Sequence, residues 1–194
     1  MEPGFEPVRE VFAEVLAGQA GTGAAAAAWR DGRWVADLWG GPASADGAQR
    51  WQADSRRATT NPPGAFDPVV VNGPAWRAAE VPAVNGHGTA RGAAGLYAAL
   101  LQGRLLSPAL LREAATAQCS GIDAVFGEHS AWGLGFGVDA DGYGMGGSGG
   151  NYAGASVAGG YAFAFITGTM GSHDRAAQVE NALRGCLGVP PLPD

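Results

Sequence analysis

The stretch "YGMGGSGGN", residues 143–151, carries two overlapping patterns that point to different folds. Residues 146–150 read as G-x-S-x-G, in which Ser148 would be a nucleophile on a sharp strand-to-helix turn. Residues 142–147 read as G-x-G-x-x-G, the loop that cradles a dinucleotide pyrophosphate. Both patterns need a helix directly after the glycines, and "NYAGA" at 151–155 is poor helix material. We favour a third interpretation, a strand whose glycines let a ligand or a second backbone approach closely.

The segments around this stretch predict short strands, with helices at both ends of the chain. Asp31 and Gly32 predict a hairpin turn, because an Asp-Gly pair accepts the positive φ angles of a type I′ turn. Apolar residues at helical spacing predict a first helix over residues 5–18, and Ser172 is the predicted cap of the last helix. The other predicted elements are strands near 132–138, 143–147, 152–157 and 161–167 and helices after Thr89 and Ser107.

The order of these elements predicts an α+β fold. Its core is an antiparallel sheet of about five strands, flanked on one face by the N-terminal and C-terminal helices. We predict one domain, in which residues 1–55 form the first helix and hairpin, 83–120 form two helices, and 130–194 form strands and the last helix. Prolines exclude long regular elements from the junction at residues 56–82.

The composition argues against several classes of function. The 194 residues carry a net charge of -6, which disfavours a nucleic-acid-binding surface. The apolar runs are too short to cross a membrane, and the sequence after Met1 lacks the basic start and apolar core of a signal peptide. Cys119 and Cys186 do not form a C-x-x-C motif, so we expect reduced thiols and a cytoplasmic location.

All 12 basic residues are arginine, and the chain contains no lysine. A guanidinium group does not deprotonate in proteins. The chain therefore offers no amine side chain for a Schiff base, for a pyridoxal cofactor or for the activation of a serine. The 3 histidines lie in unrelated sequence contexts, so we predict neither a metal site nor a cofactor.

His87 is the main candidate for proton transfer. It lies in "NGHGT" at 85–89, between two glycines and directly before a predicted helix, where an imidazole is accessible for acid–base chemistry. The alternative, to which we give equal weight, is a turn in which Asn85 and the glycines supply the geometry and His87 is incidental. We interpret His129 as a solvated loop residue and His173 as part of a helix start.

Four segments together resemble the class C β-lactamase-like serine hydrolases, and in particular the family VIII carboxylesterase branch. They are "AAAAAWRDGRWVADLWGG" at 24–41, "AWRAAEVPAVNGHGTARGAAGLYAALLQGRLLSP" at 75–108, "WGLGFGV" at 132–138 and "YGMGGSGGN" at 143–151. The resemblance covers nearly the whole chain except the turn-rich stretch at 55–67. It implies an antiparallel sheet flanked by helices, a separate helical domain, and an active site between the two.

The resemblance also implies catalytic parts that this sequence does not show. The family uses an S-x-x-K helix and a tyrosine in a Y-x-N-like motif, both expected between the equivalents of Ser55 and Asn61. Here "WQADS" passes through "RRATT" directly to "NPP", so we predict a shortened member that lacks the nucleophile helix and most of the helical domain. Met145, followed by Gly146 and Gly147, takes the place of the family's Lys-Thr-Gly or His-x-Gly motif, and a thioether cannot transfer a proton.

We therefore predict a repurposed enzyme of specialised metabolism that catalyses a cyclisation, isomerisation or dehydration of a small molecule. His87 and Ser148 are its catalytic candidates, with backbone amides near Gly147 and Ser148 holding an oxyanion. The predicted substrate-binding residues are Asn85, Trp132, Tyr143, Met145, Gly147 and Asn151. The alternatives are an inactive binding or scaffold protein, a partner subunit of a full-length relative, and a residual esterase that uses Ser148. Because missing helices would expose apolar surface, we expect a homodimer or a heteromer.

Overall fold

The structure is a computed structural model, and it describes residues 1–18, 23–42, 50, 57–58, 70, 73–80, 86–123, 127–147 and 149–192. Its helices are α1 (Glu6–Ala17), α2 (Pro74–Ala78), α3 (Ala90–Leu101), α4 (Pro108–Ala114) and α5 (Asp174–Leu187). The N-terminal strands are β1 (Ala24–Arg30), β2 (Arg33–Gly40), β3 (Arg57–Ala58) and β4 (His87–Gly88). The C-terminal strands are β5 (Cys119–Ile122), β6 (His129–Trp132), β7 (Gly137–Val138), β8 (Gly142–Gly146), β9 (Tyr152–Ser156) and β10 (Tyr161–Thr167).

Eight of these strands form one antiparallel sheet in the order β2-β1-β10-β9-β8-β7-β6-β5. The predicted α+β class is confirmed, but the sheet has more strands than the sequence predicted. The segment 132–138 forms parts of two strands, because a glycine at 135 with a φ of 89° allows the chain to turn back. The edge strand β5 was not predicted at all, since "CSGI" carries no alternation of polar and apolar residues.

The helices α1 and α5 cover one face of this sheet, as predicted. Strand β10 alternates large and small residues, and its Tyr161, Phe163 and Phe165 point toward these two helices. Phe163 and Phe165 are at most 1% exposed, and burial of one such ring contributes about 2–3 kcal/mol. The first helix contributes Val8 and Phe12 to the same core. This alternation in β10 fixes which face of the sheet receives the two terminal helices.

Helix α3 covers the opposite face of the sheet. Small side chains on both surfaces allow close packing, among them Ala25 and Ala27 of β1 and Ala90 and Ala94 of α3. The helix begins where the sequence predicts, because the Thr89 hydroxyl accepts a hydrogen bond of 2.9 Å from a backbone amide in the first turn. The chain is thus a three-layer sandwich of helices, sheet and helix over the part that the structure describes.

The predicted junction at 56–82 lies largely outside the described residues. Within it the structure describes the short strand β3, residue 70 and residues 73–80, which contain helix α2. The division of the chain into four parts therefore stays a prediction. Across the described ranges, none of the helices is long and apolar enough to cross a membrane.

Candidate functional site

Strand β8 and the turn after it form the centre of the site. Tyr143 and Met145 point toward α3, while the glycines of β8 make room on the other face for neighbouring groups. A Cβ atom on Gly144 would lie 2.9 Å from the hydroxyl of Tyr152, so only glycine fits beneath that side chain. The opening stretch therefore begins as a strand whose glycines let other groups approach closely, which supports the structural interpretation of these glycines.

A cavity of about 180 Å³ lies between α3 and this strand, and we call it the α3 cavity. Most of its lining is apolar. The lining residues are Ala93, Tyr97, Met145, Gly146, Gly147, Asn151, Tyr152, Ala153 and Ile166. Three of the predicted substrate-binding residues, Met145, Gly147 and Asn151, are thus brought together here.

Tyr143, also predicted to bind substrate, lies in the core behind this cavity. It is 4% exposed, and its ring centroid lies 5.1 Å from that of Phe136 and 6.1 Å from that of Tyr97. Among the described residues its hydroxyl has no hydrogen-bond partner. Burial raises the pKa of Tyr143 to about 12, and burial together with Tyr143 raises the pKa of Tyr97 to about 12. Both phenols therefore remain protonated at neutral pH.

The turn at 147–151 is held by its own hydrogen bonds. The Gly147 amide donates to the Asn151 carbonyl at 2.8 Å, and the Asn151 carboxamide oxygen accepts from the Thr167 amide at 2.8 Å. The guanidinium of Arg175 donates to the Gly149 carbonyl at 3.1 Å. Because the Gly147 amide is already used, an oxyanion hole cannot draw on this amide without rearranging the turn.

The remaining predicted site residues lie elsewhere. His87 is half-buried in β4, where it pairs with Ala58 just before α3 begins. The indole nitrogen of Trp132 donates to the Ser130 hydroxyl at 3.1 Å, and its ring faces the side of the sheet opposite α3. Asn85 and Ser148 lie outside the described residues, so their roles stay predictions.

A buried network on the α5 side was missed by sequence reasoning. Glu180 is 4% exposed, and its carboxylate accepts a hydrogen bond of 2.7 Å from the Tyr161 hydroxyl. Arg184 donates to the same hydroxyl at 2.8 Å and to both carboxylate oxygens of Asp141 at 2.8 and 3.1 Å. Burial raises the pKa of Glu180 to about 7, although the hydrogen bond from Tyr161 lowers it.

Sequence reasoning also did not place His173 in the site. Its imidazole covers strand β8, because a Cβ atom on Gly146 would lie 2.9 Å from its Nε2 atom. It begins α5 as predicted, and the neighbouring Ser172 hydroxyl accepts from the Asp174 amide at 3.1 Å. His173 lines the same cavity as Glu180. In the sequence, its position at a helix start gave no indication of this.

Metal ligation finds no support in the described part of the chain. No group of three or more histidine, cysteine, aspartate or glutamate side chains there could hold an ion. Cys119 is an exposed free thiol and Cys186 a half-buried one.

The family model described as Beta-lactamase matches residues 55–185. A family VIII carboxylesterase crystal structure superposes with a TM-score of 0.85 at 17% identity, covering 95% of this chain and 98% of that chain. A penicillin-binding protein homologue from Caulobacter crescentus gives 0.83 at 17% identity, with coverage of 95% and 98%. EstA from Arthrobacter nitroguajacolicus Rue61a gives 0.80 at 16% identity, with coverage of 97% and 98%. No curated protein shows a significant match.

Proposed function

Because the chain belongs to the beta-lactamase family but contains no lysine, we propose that it acts on a small apolar molecule without a lysine-activated serine. The finer form of the proposal is an enzyme of specialised metabolism that promotes a cyclisation, isomerisation or dehydration. The observation that carries it is the α3 cavity, whose lining offers apolar surface and no amine. An apolar cavity with few polar groups favours binding and positioning of a small ligand.

Met145 supports a changed chemistry at the family's third motif. Its side chain is 40% exposed and lines the α3 cavity, at the place where the resemblance implies a lysine or histidine. A thioether packs well against an irregular apolar ligand but donates and accepts no proton. This substitution favours recognition of an uncharged molecule over transfer of a proton from β8.

Tyr97 and His87 are the residues that we propose for the chemistry. Tyr97 lines the cavity and stays protonated at neutral pH, so its hydroxyl can donate a hydrogen bond that polarises a substrate carbonyl. His87 lies in β4, before the first turn of α3, and does not line the cavity, so it would supply or remove the proton only for a substrate that extends from the cavity toward β4. Reactions that depend mainly on positioning and a polarised carbonyl fit this set of groups.

The loss of serine–lysine chemistry can be tested directly. The protein is incubated with a fluorophosphonate probe and, separately, with benzylpenicillin, and its intact mass is measured. We expect no adduct from either reagent. An adduct that disappears in Ser148→Ala would contradict the proposal and establish the residual esterase.

Ligand binding in the α3 cavity needs its own test. Small cyclic ketones are screened by thermal shift against the wild type, Ala93→Leu and Leu96→Ala. Ala93 lines the cavity, so a leucine there should fill it and abolish the shift, whereas Leu96 is 53% exposed on the same helix and serves as the control. Equal shifts for Ala93→Leu and the wild type would place binding elsewhere.

Turnover of a bound compound by wild type but not by His87→Ala would support the enzyme over an inactive binding protein.

Association with a second copy or a related chain is the second candidate. Leu96, Leu105 and Leu110 are 53%, 53% and 46% exposed on or near the helices α3 and α4, which supports a contact with another protein. Light scattering after size exclusion should give at least twice the mass of one chain. A monomer at high protein concentration would contradict this part of the proposal.

A further inference from the structure

The face of the sheet opposite α3 carries a groove that meets the α3 cavity at Met145, Gly146 and Tyr152 and extends away from it. It consists of two adjoining cavities of about 260 and 470 Å³, which share Asp139 and Tyr152 as lining residues. The smaller cavity lies against α5 and reaches Glu180, and the larger one lies over β6–β8 and reaches Trp132. We call the two together the α5-side groove.

The floor of the groove is backbone, because three glycines lie side by side across three strands. Gly137 pairs with Gly144, and Gly144 pairs with Gly154. The ring of Trp132 lies beside Gly137, with Cζ3 3.7 Å from the position of a Cβ atom there. The hydroxyl of Tyr152 lies over the other two glycines. The glycines thus make room for the two aromatic side chains, which both line the larger cavity and suit a flat apolar group.

The end of the groove next to α5 is acidic. Glu180 and Asp139 both line it, and none of the described lining residues is an arginine. Arg184 reaches Glu180 only through the shared Tyr161 hydroxyl, and although its charge lowers the pKa of Glu180, its guanidinium binds both carboxylate oxygens of Asp141. His173 stands at the rim and is exposed. The described lining residues of the groove therefore provide no permanently charged cation for the Glu180 carboxylate.

Glu180 is the residue that points to a ligand. It is 4% exposed and lines the cavity, yet one of its oxygens accepts only the Tyr161 hydrogen bond, and no described residue donates to the other. A buried carboxylate without a cation is unfavourable, and it takes up a proton unless a cation balances it. The rise of its pKa to about 7 through burial is consistent with that imbalance.

We infer that the α5-side groove binds a small organic ammonium ion, with the charged end at Glu180 and Asp139 and a flat apolar body between Trp132 and Tyr152. A metal ion fits less well, since the described residues offer no set of three ligands. An anion would meet two carboxylates, and a neutral donor would pair the free Glu180 oxygen but leave its charge unbalanced. The aromatic walls add an attraction for a cation that passes over their faces.

Three probes of similar size separate these possibilities. Calorimetric titrations at pH 8, where Glu180 is ionised, use 2-phenylethylamine, 2-phenylethanol and 3-phenylpropionate. We expect the amine to bind at least about tenfold more tightly than the alcohol, because a charge-assisted hydrogen bond distinguishes them. The carboxylate should not bind. Equal affinity for the amine and the alcohol would overturn the inference.

Variants then locate the site. Glu180→Gln keeps the acceptor for Tyr161 and should weaken amine binding about tenfold or more, while Glu10→Gln, an exposed change on α1, should leave it unchanged. Asp139→Asn, which retains an oxygen for its turn hydrogen bonds, gives an independent reading if Glu180→Gln folds poorly. Undiminished binding by either folded variant would contradict the inference. Ala93→Leu should bind the amine normally, and a loss there would assign the amine to the α3 cavity instead.

Discussion

The Glu180→Gln substitution should abolish a pH dependence of stability that the structure implies. Burial raises the pKa of Glu180 from 4.5 to about 7 in the folded chain. The folded state therefore holds one more proton than the unfolded state between these values, so this group's contribution to stability is complete below pH 4.5 and is lost as the pH rises through 7. From pH 5 to pH 8 the loss amounts to about 2.5 kcal/mol. Glutamine does not titrate and removes this contribution.

The assay is urea unfolding of both proteins at pH 5, 6, 7 and 8, followed by tryptophan fluorescence. The difference in unfolding free energy between wild type and Glu180→Gln should change by about 2.5 kcal/mol across this range. The wild type should become less stable relative to the variant as the pH rises. Asp141, whose pKa the hydrogen bonds from Arg184 lower, is present in both proteins and cancels in the difference. A difference that stays constant from pH 5 to pH 8 would refute the assignment of a raised pKa to Glu180.

Four further substitutions test the packing and the turn after β8. Gly154→Ala should destabilise the fold by about 1–3 kcal/mol in urea unfolding, because its Cβ atom would lie 2.3 Å from the Tyr152 hydroxyl oxygen. Gly185→Ala, which meets nothing within 4 Å in the exposed part of α5, should instead stabilise by about 0.5–1 kcal/mol, and a loss there would contradict the helix. Leu183→Ala removes a fully buried side chain and should cost about 3 kcal/mol, seen as a lower thermal midpoint. Arg175→Gln should speed proteolysis at the turn near Gly149 relative to wild type, since its guanidinium holds that carbonyl; unchanged cleavage would count against this role.

Local signals in the sequence predicted most of the individual elements. Asp31 and Gly32 adopt φ angles of 49° and 84°, and the hairpin forms where the dipeptide indicates. Thr89 and Ser107 cap α3 and α4 with their hydroxyls, as expected for residues that satisfy free amides at a helix start. These features depend on a few adjacent residues, so one sequence is enough to identify them.

Features that depend on distant partners were missed. Strand β5 has an exposed pattern and owes its conformation to pairing with β6, which local propensity does not encode. Glu180 and Arg184 are four residues apart on one helix, a spacing that normally indicates a solvated ion pair. Only the sheet brings Tyr161 and Asp141 to them, and the buried network follows from that packing.

The candidate site was predicted where its residues are contiguous and missed where they are not. Met145, Gly147 and Asn151 come from one stretch, and they line one cavity. Tyr143 belongs to the same stretch and the same face of β8, but Tyr97 and Phe136 enclose its ring in the core. A period of two fixes the face of a strand on which a side chain lies, and the neighbouring elements decide whether that side chain meets a ligand or a helix.

The two proposed binding regions extend from opposite faces of strand β8. Residues 143 and 145 carry side chains toward α3, and on the opposite face the glycines at 144 and 146 make room for the side chains of Tyr152 and His173. A strand built in this way can border an apolar cavity on one side and a flat, acid-ended groove on the other. Filling the first with Ala93→Leu and neutralising the second with Glu180→Gln are changes on different layers of the sandwich, so their effects on binding should be additive. Strong non-additivity would mean that the strand moves as ligands bind, and that the two faces respond as one site.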